Sequence, residues 1–195
     1  MERIVLFDGT KESLMANWIM ENGSEANWIC EGNAMTVNKG NIVSKVTFGD
    51  AHIHLEWREP DMPWAEGQGK GNSGVFVQGV YEIQVLDSYG IEEPSLWDCG
   101  AIYNKHKPLV NACRPPLMWQ TYDIYFRAPR FHDDGTVSEN ARMTVLQNDT
   151  LILNNIVIDG ICGGPIKPTE DPLGPLMLQD HGDPVSFRNI WIEKL

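Results

Sequence analysis

Short segments of β-type sequence, separated by turn residues, recur along the whole chain, and this pattern constrains the fold more than any other feature. Segments such as HIHLEW and SGVFVQG are rich in β-branched and other apolar residues. The 18 glycines and 12 prolines supply turn residues between such segments. No amphipathic pattern extends beyond about three helical turns, and the best short helix candidate is Lys11 to Ala16. A dozen or so short strands with almost no helix predict an all-β sandwich.

One hairpin is predicted from its turn residues. Asn148 and Asp149 separate the strand-like segments ARMTVLQ and LILNN. Both residue types tolerate the left-handed backbone conformation that a tight hairpin turn needs, so we expect the two segments to pair.

The length of 195 residues is typical of one undivided sandwich, so we expect a single domain over residues 1–195. Three stretches lack a sustained strand pattern and predict long loops: residues 59–72, 88–116 and 160–175. Long loops on a rigid sheet commonly cover or rim a functional site, although they also occur without a functional role.

The charge balance limits the kinds of partner. A formal net charge of −12 argues against a nucleic-acid or anionic-membrane partner, because such binding needs clustered lysine and arginine. A sugar or other neutral small molecule is compatible with it. No apolar run approaches the length of a membrane span. The first ten residues, MERIVLFDGT, lack the signal-peptide pattern, so we expect a cytoplasmic protein, or a secreted or periplasmic one if a signal has been removed.

The four cysteines are Cys30, Cys99, Cys113 and Cys162. None has the C-x-x-C spacing of a structural zinc site. Cys99 and Cys113 flank a loop-rich stretch and are able to form a disulfide in an oxidising compartment. In a cytosol four reduced thiols are expected.

The segment YEIQVLD carries polar side chains on one face of a predicted strand. Alternation places Glu82 and Gln84 together, opposite a face of apolar side chains. Asp87 rejoins the Glu82 face only if a β-bulge shifts the register, and bulges are frequent beside active sites. The ordinary alternative is a polar face exposed to solvent.

A second strand, AHIHLEWREP, repeats the pattern with different chemistry. His52, His54 and Glu56 share one face, and the other face is apolar. Two histidines and a carboxylate at this spacing suit a divalent metal, or a histidine base oriented by an acid. The alternative is two histidines on a wet sheet face.

Two further groups are candidates for a site. In LQDHG, Gln179 and His181 point one way and Asp180 the other, near a predicted strand end, although a lone histidine there is commonly a turn residue. Aromatic side chains can stack on a sugar ring, and a tryptophan on a strand is more often core. The aromatic candidates are Trp64, Trp97, Tyr103, Trp119 and Tyr122. Neither a phosphate-binding loop nor a G-x-S-x-G motif is present.

Six segments together resemble one known family. They are LFDGT, HLEWR, GNSGVFVQGVYEIQVLDSYG, CGAIYN, WQTYDIYFRAPRF and LQDHGDPVSFRNIWI. In this order they are similar to the 3-keto-disaccharide hydrolase domain family over essentially the whole chain. The resemblance implies a concanavalin A-like jelly-roll β-sandwich of two antiparallel sheets, with long loops rimming a concave face, like laminarinase-type glucanases and legume lectins.

The resemblance also gives the polar strand a role. Laminarinase-like enzymes carry a Glu-x-Asp-x-x-Glu pattern on a concave-face strand, and the matching positions here are Glu82, Gln84 and Asp87. Retaining glycosidases need two carboxyl groups about 5–5.5 Å apart, so Gln84 in place of the central acid argues against ordinary glycosidase chemistry.

The implied substrate, a 3-keto-glycoside, offers another route in which a base removes the proton beside the ketone and the glycosidic oxygen is expelled. We expect His54 or His181 as the base and Glu82 or Asp87 as the acid or metal ligand. The expected sugar-positioning residues are Gln84, Glu56, Trp119, Gln179 and Tyr103. A divalent cation is a possible cofactor. The alternatives are a lectin-like binding module and an ordinary laminarinase-like hydrolase.

Overall fold

A computed structural model describes residues 3–195 as a sandwich of two antiparallel sheets, as the sequence predicted. The larger sheet has eight strands: β1 (Arg3–Phe7), β3 (Ile29–Glu31), β4 (Ala34–Thr36), β6 (Ala51–Arg58), β9 (Gln120–Arg127), β12 (Ala141–Gln147), β13 (Thr150–Ile158) and β15 (Ser186–Lys194). The smaller sheet has five: β2 (Trp18–Met20), β5 (Ile42–Phe48), β7 (Ser73–Val77), β8 (Tyr81–Val85) and β14 (Gly174–Leu178). A separate ribbon pairs β10 (Arg130–Phe131) with β11 (Val137–Glu139).

The strand order brings distant parts of the sequence together. The eight-stranded sheet runs β13-β12-β9-β6-β15-β4-β3, and β1 also pairs with β15. The five-stranded sheet runs β2-β5-β14-β7-β8. The strand of the YEIQVLD segment is therefore at one edge of the smaller sheet, and the strand of the HIHLEW segment is in the middle of the larger one.

Among residues 3–195, helical structure is confined to two short elements. Helix α1 (Lys11–Asn17) begins after Thr10, whose hydroxyl accepts a hydrogen bond from the Ser13 amide at 3.1 Å. The predicted helix is confirmed and is one residue longer than expected. A single 3₁₀ turn covers Gly67–Gly69. Within residues 3–195, no helix has the length and apolar character that crossing a bilayer requires.

The hydrophobic core lies between the two sheets. Strand β6 contributes Leu55 and Trp57, β9 contributes Tyr122, and β8 contributes Ile83 and Val85, all fully buried. Burying each such side chain contributes roughly 1.5–3 kcal/mol to folding. Because alternate residues of these strands fill the core, the residues between them face outward from the sandwich.

The predicted hairpin is confirmed. Strands β12 and β13 pair antiparallel and are joined by two residues with positive φ, Asn148 at 51° and Asp149 at 64°. Positive φ at both central residues is the geometry of the tight turns that suit the twist of a hairpin.

Strand β8 is an edge strand whose outer side is closed by a loop. The Gln84 amide donates to the Ala101 carbonyl at 2.9 Å, and the Gln84 carbonyl accepts from the Gly100 amide at 3.0 Å. The Tyr103 amide donates to the Glu82 carbonyl at 3.1 Å. These bonds satisfy backbone groups that an edge strand otherwise leaves open.

Candidate active site

A cavity of ≈ 200 Å³ opens on the outer face of the five-stranded sheet, over β8 and the end of β14. Each of the three predicted loops contributes to its wall. The lining residues are Gln68, Asn72, Glu82, Gln84, Tyr103, Gly163, Gly164, Gln179 and His181. Five of the nine residues predicted for the site are among them.

Glu82 provides the carboxyl group of this cavity. The residue is only 3% exposed. Burial raises the pKa of its carboxyl from 4.5 to about 8, and no hydrogen bond from the rest of the described chain reaches the carboxyl oxygens. The side chain is therefore protonated at neutral pH and able to donate a proton, which is the behaviour of a general acid.

Two glycines make room for the Glu82 carboxyl. A Cβ added to Gly163 would lie 1.8 Å from Glu82 Oε2, and one added to Gly74 would lie 2.6 Å from Oε1. Gly163 also has a φ of +69°, which favours glycine. The carboxyl is thus confined between the β7 backbone and the loop of residues 160–175.

That loop is fixed to the end of the sheet by hydrogen bonds. The amides of Cys162 and Ile166 each donate at 3.0 Å, to the carbonyls of Val80 and Gly79. The Tyr81 hydroxyl donates to Glu170 Oε1 at 2.5 Å. Since Gly163 lies between these attachments and beside Glu82, the loop acts as a fixed wall of the cavity.

Two amide oxygens beside the cavity are without protein partners in the described chain. Gln84 uses its Nε2 to donate to Gln68 Oε1 at 3.0 Å and to the Trp97 carbonyl at 3.3 Å, which leaves Gln84 Oε1 unpaired. Gln179 Oε1 is also buried and unpaired. An unpaired buried acceptor is costly, so these oxygens suit hydroxyl donors of a ligand.

His181 projects into the cavity from a turn held at both ends. Asp180 Oδ2 accepts from the Gly40 amide at 2.8 Å, and the Asp180 amide donates to Asn41 Oδ1 at 2.8 Å. Asp183 Oδ2 accepts from the Asn72 amide at 2.8 Å. The His181 side chain is exposed at the mouth, where it is accessible to a substrate.

The cavity also contains oxygen and nitrogen atoms of the kinds that act as ligands to divalent cations. The Glu82 carboxyl, the His181 imidazole and the amide oxygens of Gln84 and Gln179 line the same space. Within the described part of the chain, no three His, Cys, Asp or Glu side chains come together in a way that would hold a metal ion. A cation here would therefore need the amide oxygens as ligands.

The prediction that Asp87 lies beside Glu82 in the site is wrong, because no β-bulge between β7 and β8 brings its side chain to the Glu82 face. The β7–β8 register runs without a shift, β8 ends at Val85, and the Asp87 amide bonds the Lys70 carbonyl at 3.0 Å. The buried Asp87 carboxylate forms an ion pair with Nζ of the partly exposed Lys70 at 2.9 Å. Asp87 thus fixes the loop of residues 59–72 to the end of β8.

The prediction that His54 and Glu56 share a hollow with Glu82 is also wrong. They lie on the outer face of the eight-stranded sheet, and the core separates them from the cavity. His54 Nδ1 lies 3.0 Å from Asp123 Oδ1, and its ring stacks on Trp191. Glu56 Oε2 accepts from Arg188 Nε at 2.7 Å. Polar and apolar side chains alternate in the same way along β6 and β8, but the two strands belong to different sheets.

The aromatic candidates are distributed over the whole molecule. Trp119 lies under the Arg188 guanidinium, 4.0 Å from its ring centre, on the same outer face as His54. Tyr122 is core, and its hydroxyl donates to the Gln84 carbonyl at 2.7 Å. Trp64 and Trp97 are largely exposed. Only Tyr103 reaches the cavity.

Four lining residues were not predicted from the sequence: Gln68, Asn72, Gly163 and Gly164. All four lie in segments that were predicted to be loops. Their shared signal was the density of glycine in GQGKGN and GICGGP, which marks backbone that can approach closely to another group.

All four cysteines are free thiols in this structure. Gln147 Nε2 lies 3.6 Å from Cys99 Sγ and 3.4 Å from Cys113 Sγ, so the two sulfurs share one partner. Cys162 Sγ accepts from the Glu82 amide at 3.3 Å. Burial raises the pKa of the Cys162 thiol to about 11, so it is a structural contact rather than a nucleophile at neutral pH.

A second buried acid, Glu59, lies in the core behind the site. It is 1% exposed and accepts hydrogen bonds from Trp57 Nε1 at 2.9 Å and Gln120 Nε2 at 2.8 Å. Burial raises the pKa of its carboxyl from 4.5 to about 7, against the lowering effect of these bonds. Gly71 separates Glu59 from Asp87, because a Cβ at Gly71 would lie 2.9 Å and 3.5 Å from their Cβ atoms.

Glu59→Gln is expected to stabilise the protein at pH 8 and not at pH 5. The folded pKa is raised, so the wild type loses stability as pH rises from 4.5 to about 7, and the loss persists above that pH. The variant has no ionisable group there, and we expect a gain of about 1–3 kcal/mol at pH 8. Urea unfolding at both pH values measures it, with exposed Glu25→Gln as the control. An equal destabilisation at both pH values would contradict the prediction.

The antiparallel two-sheet topology defines the class of the protein, an all-β sandwich with an acid-bearing cavity outside the smaller sheet. The chain belongs to the family of 3-keto-alpha-glucoside-1,2-lyase-like domains, whose model matches residues 2–193. The sequence resemblance to that family is thereby confirmed.

Solved structures from Parabacteroides distasonis have the same fold. One, titled a "putative glycosyl hydrolase", is 41% identical with a TM-score of 0.89, and the match covers 99% of this chain and 84% of that one. A second structure with the same description is 19% identical with a TM-score of 0.71, covering 99% of this chain and 94% of that one. A search of curated proteins found no match.

Proposed function

We propose that this chain is an enzyme that cleaves the glycosidic bond of 3-keto-glycosides in the cavity over β8. The observation that carries the proposal is the buried Glu82 carboxyl, whose pKa of about 8 keeps it protonated at neutral pH beside unpaired amide oxygens. Family membership and the 41% identical relative support an activity on glycosides. The 3-keto substrate and the mechanism are our inference from the cavity and the family description.

The proposed reaction is an elimination. A ketone at the third sugar carbon acidifies the hydrogen on the second carbon, and a base removes that hydrogen as a proton. The electron pair of the resulting enolate expels the glycosidic oxygen from the first carbon, and an acid protonates the leaving oxygen. Water can then add across the new double bond, with its hydroxyl on the first carbon and its proton on the second.

The residues of the cavity fit these steps. We assign proton abstraction to His181, which is accessible at the mouth, and protonation of the leaving oxygen to Glu82. The unpaired oxygens of Gln84 and Gln179 accept hydrogen bonds from sugar hydroxyls. Tyr103 supplies a hydroxyl that can donate to the enolate oxygen.

An ordinary retaining glycosidase reaction is disfavoured because it needs two carboxyl groups about 5–5.5 Å apart. Glu82 is the one acid among the lining residues, and Asp87 is engaged by Lys70. A lectin-like role is the remaining candidate, because the unpaired amide oxygens would also bind a sugar without reaction.

The direct test is incubation with a 3-keto-disaccharide, with and without a chelator, while release of the ketosugar is followed. We expect turnover of this substrate and none of the unoxidised disaccharide or of laminarin. Loss of turnover with the chelator, restored by adding a divalent cation, would assign a metal to the cavity donors. No release of ketosugar under either condition, with binding of an unoxidised glycan, would replace the enzyme by the lectin-like alternative.

Two histidine variants locate the reaction on one face of the sandwich. His181→Asn is expected to lower kcat at least about 100-fold, because it removes the proposed base. His54→Asn, on the opposite sheet, is expected to leave kcat within about threefold of wild type. Steady-state kinetics of both variants, after circular dichroism has shown that they fold, provide the comparison. The reverse result would move the reaction to the outer face of the eight-stranded sheet.

A further inference from the structure

Two of the four thiols, those of Cys99 and Cys113, lie next to each other. Both sulfurs contact one amide nitrogen, Gln147 Nε2, at 3.6 Å and 3.4 Å. The Cys113 thiol also lies within hydrogen-bonding distance of the Cys99 thiol. In the part of the chain that the structure describes, neither Cys30 nor Cys162 has a cysteine among its hydrogen-bond partners. Cys99 and Cys113 are therefore the pair that is placed to form a disulfide.

Hydrogen bonds to Ser88, just after β8, hold the backbones of both cysteines in place. The Cys99 amide donates to Ser88 Oγ at 3.0 Å. The Asn111 side chain donates from Nδ2 to the Ser88 carbonyl at 2.7 Å and accepts from the Cys113 amide at 3.0 Å through Oδ1. Because these bonds hold the two thiols together before they react, joining them costs less entropy than joining two free segments.

The two thiols differ in how easily a solute reaches them. Cys99 is 1% exposed, and burial raises the pKa of its thiol well above the usual value. Cys113 is only partly buried. The thiolate is the reactive form of cysteine, and it needs contact with the oxidant. Cys113 is therefore the thiol that reacts first, and Cys99 is placed to attack the Cys113 sulfur afterwards.

We propose that Cys99 and Cys113 form a redox-sensitive pair that reacts with a low-molecular-weight disulfide such as glutathione disulfide. The Cys113 thiolate attacks one sulfur of the oxidant, whose S–S bond breaks and releases one glutathione thiolate. The Cys99 thiolate then attacks the Cys113 sulfur of the mixed disulfide and expels the second glutathione. Two cysteine thiols are oxidised to one disulfide, the oxidant is reduced to two glutathione molecules, and the two cysteine protons pass to the glutathione thiolates.

The new bond closes a loop that touches the Glu82 cavity. Within residues 99–113, the Gly100 amide donates to the Gln84 carbonyl at 3.0 Å. The Tyr103 amide donates to the Glu82 carbonyl at 3.1 Å. A disulfide across this segment restricts the unfolded chain, so the oxidised protein unfolds at a higher temperature than the reduced one. The proposal does not depend on the sugar chemistry, so it is tested without a substrate.

The test uses the full chain with the variant Cys30→Ser, which removes the other partly buried thiol. After reduction and desalting, the protein is incubated with glutathione disulfide and measured by intact mass and non-reducing peptide mapping. We expect the loss of two hydrogen atoms per chain, a peptide linked through Cys99 and Cys113, and a Tm about 5–10 °C above that of the reduced protein. A fully reduced protein, a lasting glutathione adduct or a bond between other cysteines would overturn the proposal. An unchanged Tm would overturn the stabilising effect of the bond.

Serine variants in the same Cys30→Ser background separate the roles of the two thiols. Cys99→Ser cannot close the bond, so we expect it to accumulate one glutathione on Cys113. Cys113→Ser keeps only the buried thiols of Cys99 and Cys162, so we expect no adduct after the same incubation. No adduct on Cys99→Ser, or an equal rate of adduct formation on Cys113→Ser, would overturn the proposed order of reaction. Circular dichroism checks that the variants fold, and the mass of the parent protein decides the pairing if one of them does not.

Discussion

Glu82→Gln is expected to abolish turnover of 3-keto-glycosides while making the folded protein more stable at high pH. The variant keeps the shape of the side chain but cannot protonate a leaving oxygen, and loss of a general acid typically costs about 10²–10⁴ in rate. A buried carboxyl with a raised pKa is the kind of group that proteins retain for function rather than for stability.

The direction of the stability change follows from the pKa. The folded value is raised from 4.5 to about 8, so the wild type loses stability as pH rises between these values. The amide of the variant does not ionise, so its advantage is largest above pH 8 and vanishes near pH 4.5. We expect a gain of about 2–4 kcal/mol at pH 9.

The measurements are kcat with a 3-keto-disaccharide and urea unfolding at pH 5 and pH 9. Glu56→Gln is the control, because Glu56 lies on the outer face of the other sheet in an ion pair with Arg188. An active Glu82→Gln variant would remove Glu82 from the proposed mechanism. Reduced stability of this variant at pH 9 would contradict the burial argument.

Gly163→Ala is expected to lose both activity and stability. Its Cβ would lie 1.8 Å from Glu82 Oε2, so either the carboxyl or the loop of residues 160–175 must move. The φ of +69° adds backbone strain. We expect kcat to fall at least about 100-fold, because the proposed acid is displaced, and stability to fall by about 2–3 kcal/mol.

Alanine variants of two other glycines in the same loop separate the effect of backbone strain from the effect of contact with Glu82. Gly160 has a φ of +70° and nothing within 4 Å of an added Cβ, so Gly160→Ala measures backbone strain alone. Gly164 also has open space around an added Cβ and no positive φ, so Gly164→Ala is expected to change little. If Gly160→Ala matches Gly163→Ala in both kinetics and unfolding, contact with Glu82 is not the cause.

The sequence predicted those parts of the fold that depend on neighbours along the chain. Alternation in YEIQVLD correctly separated Glu82 and Gln84 from the core face, and Asn148-Asp149 correctly marked a hairpin. It could not assign strands to sheets, because alternation defines two faces of a strand without saying which sheet the strand joins. His54 and Glu56 were misplaced for this reason.

Other features depend on contacts between distant residues. The contact of Gly163 with Glu82 joins positions 81 residues apart in the sequence, and only the folded loop reveals it. Asp87 was expected beside Glu82 by analogy with a bulged strand. Its actual place is decided by Lys70, a partner whose position no local pattern predicts.

The loop that closes the outer side of β8 has a consequence for how this fold can diversify. Residues 100–103 bond the backbone of Glu82 and Gln84 directly, and Ile102 is part of the buried core, so a change in loop length there would affect both the position of the proposed acid and the packing beside it. The same bonds prevent another chain from adding a strand at this edge. Substrate selectivity and resistance to self-association therefore both depend on residues 100–103. Substitutions there that change selectivity can be screened by light scattering for self-association.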